Sequence, residues 1–240
     1  REVIEHPDYI PDKLKRTLAL RAGEDRGRVY RLAPKGWPKP TTVPLGKQPA
    51  AAWVRALGHS NAWWRLTAQR LIVSGRRTDL VPAIRSEILA STAPLARLHG
   101  YWTLQGLGRL ESADLIAALR DPHPGVVENA VEIAVQGAQA GPLDPAISAA
   151  LLNLVRHDHV RVRFVAALAI GYLPARDPAE VTRSLGEVWM RDHAWKWSRV
   201  AVLIGLRTGA DALLQRFLAT PAAGTGDATV LEAFADLAWV

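Results

Sequence analysis

The sequence predicts an all-α fold in which helix pairs stack into a right-handed superhelix, a solenoid, after a short N-terminal segment of irregular and β structure. One helical pattern of apolar and small residues returns five times at intervals of 31–35 residues, a period typical of stacked helix pairs. Turn-forming residues separate the copies. Of the 240 residues, 49% are hydrophobic, which is enough for a substantial core.

The N-terminal segment, residues 1–48, contains six prolines, which break long helices. Residues 10–18 predict one short helix. The run 26–32 alternates basic and apolar residues at strand spacing, so Val29 and Leu32 are expected to face inward. Because a lone strand is not stable, we expect it to pair with another segment. Two residues of this strand are candidate interface residues: Arg28 and Tyr30.

From residue 49 to residue 240 the pattern is helical, and two kinds of helix alternate. The first helix of each pair is predicted near residues 49–57, 79–90, 112–120, 144–156, 178–190 and 210–219. The second helix is predicted near residues 61–74, 95–108, 125–138, 160–173 and 195–207, with a last helix near 228–238. Asp, Asn and Ser in the turns inside the pairs suit the N-cap of the second helix, because their side-chain oxygens accept its free amide hydrogens.

Small residues recur at one position of the second helices: Ala68, Gly100, Ala166 and Ala201. Small side chains let neighbouring helices approach closely, so we expect the second helices to line one face of the array. The chain begins at Arg1 and ends on an apolar helix that has no polar cap. Terminal repeats need a polar outer face, and we therefore expect the chain to be a piece of a longer protein.

The net charge is +7, but it is unevenly distributed. Residues 1–48 hold 11 Lys and Arg against 6 Asp and Glu, whereas residues 49–240 hold 19 against 17. A nucleic-acid partner is therefore not favoured for the helical array. Cysteine is absent, which excludes disulfides, thiolate metal sites and covalent haem attachment within this chain. No apolar run is long enough to span a membrane.

Five histidines lie in or near the turns inside the pairs. Metal sites need ligands that converge on one ion, whereas successive repeats displace these side chains by the width of a helix pair, roughly 10 Å. We therefore interpret the set as structural and predict no metal site: His59, His123, His157, His159 and His193.

Tryptophans lie beside cations on the second helices, a mixture that also occurs in single-strand nucleic-acid binders. Trp64 and Trp197 share their pattern position with Val127, so we predict that both are core residues. Trp63 and Trp195 lie off that position and are predicted at the surface or at a partner interface.

Arginine recurs at one pattern position, as Arg65, Arg97 and Arg163, while Glu128 and Ser198 occupy it in the third and fifth copies. Two interpretations stay open. The arginines line the concave face and bind an acidic partner, or they pair with Asp or Glu of the adjoining repeat. No nucleophile elbow, phosphate loop or zinc-protease motif occurs, and no pair of carboxylates suggests an acid and a base. We predict no catalytic residue in this chain.

Several segments resemble a bacterial family. His59-Ser-Asn-Ala-Trp-Trp-Arg-Leu, Ala96-Arg-Leu-His-Gly-Tyr-Trp and Asp121-Pro-His-Pro-Gly-Val resemble the HEAT-repeat region of large bacterial membrane-bound dehydrogenases. Arg1-Glu-Val-Ile-Glu-His-Pro and Asp25-Arg-Gly-Arg-Val-Tyr-Arg-Leu resemble the end of the sorbosone-dehydrogenase-like β-propeller that precedes those repeats.

The resemblance implies that residues 1–48 hold the last propeller strand and a linker, and that residues 49–240 form a HEAT array of five to six helix pairs. In this family the array usually precedes a c-type cytochrome domain, and the protein is secreted or periplasmic. Its activity is the transfer of electrons from a sugar-like or other alcohol to haem. The resemblance thus implies a non-catalytic connector, with haem c and the catalytic residues elsewhere in the parent protein.

Two alternatives remain. A free-standing protein-interaction module would use the same array without a propeller. A HEAT-like alkylpurine DNA glycosylase would need a positively charged concave face to bind duplex DNA, whereas residues 49–240 carry a net charge of only +2.

Overall fold

The computed structural model describes the following residues: 7–17, 32, 34–37, 43–173, 178–206, 209–220 and 226–238. Every regular element in these residues is helical, which confirms the predicted all-α class. Contacts divide the chain into two units, Arg1–Thr42 and Val43–Val240. The described part of the first unit contains the 3-10 turn Pro7–Tyr9 and helix α1, Asp12–Lys15, where a short helix is predicted. Apart from Leu32, the predicted strand with Arg28 and Tyr30 lies outside the described residues. Leu32 does not face inward, since its side chain is fully exposed.

The second unit begins at Val43 rather than at residue 49. Leu45 explains the difference, since its side chain is buried in the core of this unit. Its carbonyl oxygen accepts a hydrogen bond of 2.8 Å from the indole N–H of Trp53. The 3-10 turn Leu45–Lys47 is therefore fixed to the helix that follows it.

Two kinds of helix alternate along the second unit. The first helices are α2, Ala50–Ala56; α4, Val81–Ala83, which continues as the π-helix Ile84–Leu89; α6, Ser112–Leu119; α8, Pro145–Asn153; α10, Pro178–Asp192; and α12, Ala210–Leu218. The second helices are α3, Ala62–Ser74; α5, Pro94–Gly106; α7, Pro124–Ala140; α9, Val160–Ile170; α11, Lys196–Gly205; and α13, Ala228–Ala238. All of the predicted helices are present, with small differences at their ends.

Each first helix contacts the second helix that follows it, and the two form a pair. The second helices also contact one another in chain order, from α3 through α5, α7, α9 and α11 to α13. Between the helices lie three groups of buried side chains that follow one another along the chain. The core therefore extends along a row of pairs.

The backbones of α9 and α11 approach closely where α9 ends. A Cβ atom built on Gly205 would lie 2.5 Å from the carbonyl oxygen of Ala167, and one built on Gly171 would lie 3.1 Å from the Cα of Gly205. Neither position leaves room for a side chain without a backbone shift. Small residues are needed on the second helices for the predicted reason, since Ala68, Ala166 and Ala201 are all fully buried.

Substitution of Gly205 by alanine is expected to destabilise the second unit. The added methyl group meets backbone rather than a flexible side chain, and overpacking of this kind costs about 1–3 kcal/mol. The free energy of unfolding in urea measures the effect. Gly46→Ala is the matched control, because a Cβ atom at Gly46 meets nothing within 4 Å. Equal stability of the two variants would contradict the close approach.

Candidate functional site

Four arginines occupy one structural position, the fourth residue after the N-cap of a second helix. Each donates a hydrogen bond from Nη1 to the carbonyl oxygen of the residue six positions earlier, at 2.6–2.8 Å. The bonds are charge-assisted and fasten the turn inside a pair to the helix that follows it. We name these residues the turn arginines: Arg65, Arg97, Arg163 and Arg199.

Three turn arginines also bind a carboxylate of the following pair. Asp121 accepts two bonds from Arg97, at 2.6 and 2.7 Å. Asp192 accepts two from Arg163, both at 2.6 Å. Arg199 binds two residues of α13, with 2.6 Å to Asp236 and 3.0 Å to Glu232. The planar guanidinium group thus connects two consecutive pairs.

The guanidinium groups of Arg97 and Arg163 have their hydrogen-bond partners within the chain. The two side chains are 11% and 5% exposed, and the hydrogen bond to Asp121 is the main reason that the pKa of Arg97 is raised. This arrangement corresponds to the second of the two interpretations considered for the repeated arginines. A role of these residues at an interface stays a prediction.

The register of the third and fifth copies differs by one residue from the predicted alignment. Counted from the N-cap, the arginine position is taken by Val127 and Arg199, not by Glu128 and Ser198. Sequence analysis therefore missed Arg199, and also the distant acids that complete the ion pairs. The signal that identifies the position is its distance from the turn residue that caps each second helix.

The same shift corrects one tryptophan. Trp197 was predicted in the core, but it is 56% exposed, because it lies two residues after its N-cap, as Trp63 does. Trp64, which was also predicted in the core, is half-buried and packs against the buried group that contains Leu57 and Ile72. Trp63 and Trp195 are 59% and 37% exposed, in agreement with their predicted surface positions.

Arg65 differs from the other turn arginines. It is 7% exposed, and its Nη1 donates to the carbonyl oxygens of His59 and Ser60, both at 2.7 Å. Among the described residues, no carboxylate pairs with Arg65, and its Nε has no hydrogen-bond partner. The charge of Arg65 is therefore buried without an acid from this part of the chain.

The turn of the next pair shows which acid is missing. Ser91 Oγ accepts the amide hydrogen of Ala93 at 3.2 Å, and Asp121 Oδ1 accepts that of His123 at 2.8 Å one pair later. Each acceptor lies two residues before the N-cap of its second helix. Ser91 thus reproduces the turn hydrogen bond of Asp121, but it lacks the second oxygen and the charge that bind a turn arginine.

Histidine rings make the equivalent bonds in other turns. His59 Nδ1 accepts the amide hydrogen of Asn61 at 2.9 Å, and His157 Nδ1 accepts that of His159 at 3.0 Å. His123 Nδ1 accepts the amide hydrogen of Gly125 at 3.1 Å, inside α7. Within the described ranges, no group of three or more potential ligand side chains could hold a metal ion.

Two histidines have lowered pKa values. Burial is the main cause for His99, and the positive charge of Arg65 adds to it. Burial also lowers the pKa of His157, against the opposing effect of Asp158. Both rings are therefore held in the neutral form below the pH at which an exposed histidine would take up a proton.

The second helices carry the exposed apolar side chains. Between Leu45 and Leu206, every large hydrophobic side chain that is exposed in the described residues lies on a second helix or at its end. We name this surface the second-helix face. Its members are Trp63, Leu66, Leu95, Tyr172, Trp195, Trp197 and Ile204. The fully described helix α7 contributes no member, so the members fall into one group on α3 and α5 and another on or beside α9 and α11. Groups of exposed apolar side chains are candidate binding surfaces.

A groove of about 440 Å³ crosses the second-helix face between α7, α9 and α11. Apolar side chains line most of it, among them Val135, Leu168 and Ile204, while Glu128 and Glu132 add acidic groups. Glu128 is held by a 2.8 Å ion pair to Arg161. Its volume and mostly apolar lining are typical of ligand-binding clefts.

Comparisons with known proteins give no match. No family model, no curated protein and no solved structure matches the chain. In the described residues, no helix is both long and apolar enough to cross a lipid bilayer.

Removal of a single acid from a turn-arginine pair is expected to be strongly destabilising. In Asp192→Asn, the buried guanidinium group of Arg163 loses its counter-charge, which costs about 3 kcal/mol. Urea unfolding measures the loss. Glu187→Gln is the matched control, since its ion pair with Arg156 is exposed and is expected to contribute less than about 1 kcal/mol. Similar losses in the two variants would show that the buried pairs have no special role.

The stability of the chain is expected to fall as the pH drops below about 6.5, the ordinary pKa of histidine. The unfolded chain then takes up protons at His99 and His157 that the folded chain does not, so protonation favours unfolding. Unfolding free energies measured from pH 7.5 to pH 5 would show the slope. The double variant His99→Gln, His157→Asn should flatten it, and an unchanged slope in that variant would assign the effect elsewhere.

Proposed function

We propose that the second unit is a HEAT-repeat superhelix that acts as a non-catalytic scaffold and binds a protein segment along the second-helix face. The observation that carries this proposal is the location of the exposed large apolar side chains in the first five pairs, where all of those described lie on or beside second helices; in the sixth pair Leu218 of the first helix α12 is exposed as well. The first helices between residues 45 and 206 expose no large hydrophobic side chain in the described part of the chain. A one-sided apolar surface favours a docking role over a purely structural one.

The composition of the face favours a protein as the occupant. Four of its seven members are aromatic, namely Trp63, Tyr172, Trp195 and Trp197. Tryptophan and tyrosine contribute a large share of the binding energy at protein interfaces, because they bury much area with few rotatable bonds. The groove beside Tyr172 and Ile204 supplies a concave place for an apolar side chain.

The turn arginines favour a face that is formed before binding. Ion pairs such as Arg97–Asp121 and Arg163–Asp192 fix one pair relative to the next. A scaffold held in this way loses little conformational entropy when a partner binds. The bonds that shape the scaffold therefore also support recognition.

In line with the resemblance of residues 1–36, 59–71 and 96–125, we propose that this scaffold connects a propeller dehydrogenase domain to a c-type cytochrome domain in a large bacterial redox protein. The parent protein would be periplasmic or secreted, and haem c would belong to its cytochrome domain. The reading frame on both sides of the chain tests the connection. A propeller before Arg1 and a C-x-x-C-H motif after Val240 support it, and their absence favours a free-standing protein-interaction module.

A photo-crosslinking amino acid at Trp197 or Ile204 is expected to capture a protein segment from outside the second unit. The chain is produced in its native host, and crosslinked peptides are identified by mass spectrometry. Ala113, which is exposed on the first helix α6, provides the control position. Crosslinks of equal yield from Ala113 and Trp197 would contradict binding on the second-helix face.

A further inference from the structure

We propose that Arg65 binds a carboxylate supplied by a partner protein, so that the two turns beside it form a docking site for an acidic segment that also carries an apolar residue. The inference rests on the proposed scaffold function and adds to it the chemistry of the partner. It concerns the first two pairs, α2 to α5.

The series of turn arginines is the first argument. Arg97, Arg163 and Arg199 each bind at least one carboxylate of the following pair. Arg65 holds the same position and makes the same bonds to its own turn, yet Ser91 stands where Asp121, the acid that binds Arg97, stands one pair later. Among the described residues, no carboxylate takes this role at Arg65.

The burial of Arg65 is the second argument. Only 7% of the residue is exposed, and its Nε is a buried donor with no partner in the described chain. A buried guanidinium group without a counter-charge is unfavourable, so an anion gains more here than at an exposed arginine. The neighbouring His99 cannot supply the counter-charge, because a histidine ring is either neutral or positively charged.

The surroundings provide a surface for the rest of a segment. The guanidinium group of Arg65 lies at the turn 58–61, whose residues are exposed, and Thr92 and Ala93 are exposed in the facing turn. Trp63 and Leu95 lie in the first turns of α3 and α5 and are 59% and 50% exposed. Both helices have 13 residues, and their N-termini add positive potential at the same edge.

Charge along the second unit is the third argument. Residues 49–111 hold 8 Lys and Arg against 3 Asp and Glu, whereas residues 112–240 hold 11 against 14. The net charge of residues 49–240 is therefore small because a basic first part and an acidic second part nearly cancel. Of the three acids in the basic part, Asp79 is paired with Arg77 and Glu111 with Arg85. Complementary charge directs an acidic partner to this end.

The shape of the site favours a side-chain carboxylate over a nucleic-acid phosphate. In the next pair, the carboxylate of Asp121 fills the corresponding position and is only 3% exposed. A partner's Asp or Glu carboxylate, carried on one or two methylene groups, has the same shape as this intramolecular acid. A phosphodiester group, which is joined to a sugar on each side, is too bulky to enter that position.

The test uses NMR on the full 240-residue chain, with the side-chain Nε–H signal of Arg65 assigned through Arg65→Lys. The probe is the acetylated and amidated peptide Gly-Leu-Asp-Glu-Leu-Gly. The control peptide is Gly-Leu-Asn-Gln-Leu-Gly, which has the same shape without charge. We expect the acidic peptide to shift the Nε–H signal of Arg65 and the indole signal of Trp63, and the control to bind at least about tenfold more weakly.

A second variant supplies the acid from within the chain. Because it is expected to stabilise the fold, a loss of peptide binding in this variant cannot be due to misfolding. Ser91→Asp should place a carboxylate where Asp121 stands one pair later, raise the melting temperature by about 2–4 °C, and weaken the acidic peptide at least about tenfold. Ser91→Asn is the matched neutral control: it occupies the same space without the charge, and it should weaken the acidic peptide less than Ser91→Asp does and leave the melting temperature below that of Ser91→Asp.

Three results would overturn the proposal: equal peptide affinity in Ser91→Asp and the parent chain, an Arg65 Nε–H signal that the acidic peptide does not move, or a single-stranded DNA oligonucleotide that moves this signal when the peptide does not. The crosslinking experiment separates this proposal from the scaffold function. If one of these three results is obtained while position 197 still crosslinks a protein segment more strongly than position 113 does, only the proposal for Arg65 fails. If position 197 gives no such crosslink, the proposed scaffold function fails.

Discussion

The guanidinium group of a turn arginine meets two demands at once, and the arrangement of the helix pairs depends on it. One edge of the group holds the carbonyl oxygens of its own turn, and the other edge binds an acid of the following pair, as in Arg163 with His157 and Asp192. Because the group is planar, satisfying both fixes the angle between two pairs as well as their distance. Burial makes the arrangement selective, since a misaligned pair would leave a charge without a partner.

The buried ion pairs and the exposed apolar residues lie on different parts of the helix pairs. Charged residues such as Arg163 and Asp192 are buried between pairs beside the apolar core, while large apolar residues such as Trp197 and Ile204 are exposed on the second helices. Because the core and the buried ion pairs already hold the pairs together, the exposed apolar side chains are available for a partner.

Much of the fold followed from the sequence, since period and turn residues predicted the positions of the helices. Register was harder in two copies. In the third copy Val127 replaces the arginine and Glu128 follows it, and in the fifth copy Ser198 precedes Arg199, so a shift by one residue leaves the apolar pattern almost unchanged. Trp197 was misplaced for that reason. The acids were out of reach, since Asp121 and Asp236 follow their arginines by 24 and 37 positions and no local rule connects them. The isolation of Arg65 became visible only once those partners were known.

Val127 replaces the turn arginine in the third pair, and this one exchange has a thermal consequence. Its side chain is fully buried among apolar neighbours, and the ion pair between Arg161 and Glu128 that crosses from α9 to α7 is largely exposed on its arginine side. Apolar association weakens on cooling, whereas the desolvation penalty of buried ion pairs falls on heating. The contact between α7 and α9 is thus expected to become less stable at low temperature. The contacts between pairs that are held by a turn arginine are expected to become more stable relative to it at high temperature. Temperature would change where along its length the scaffold bends.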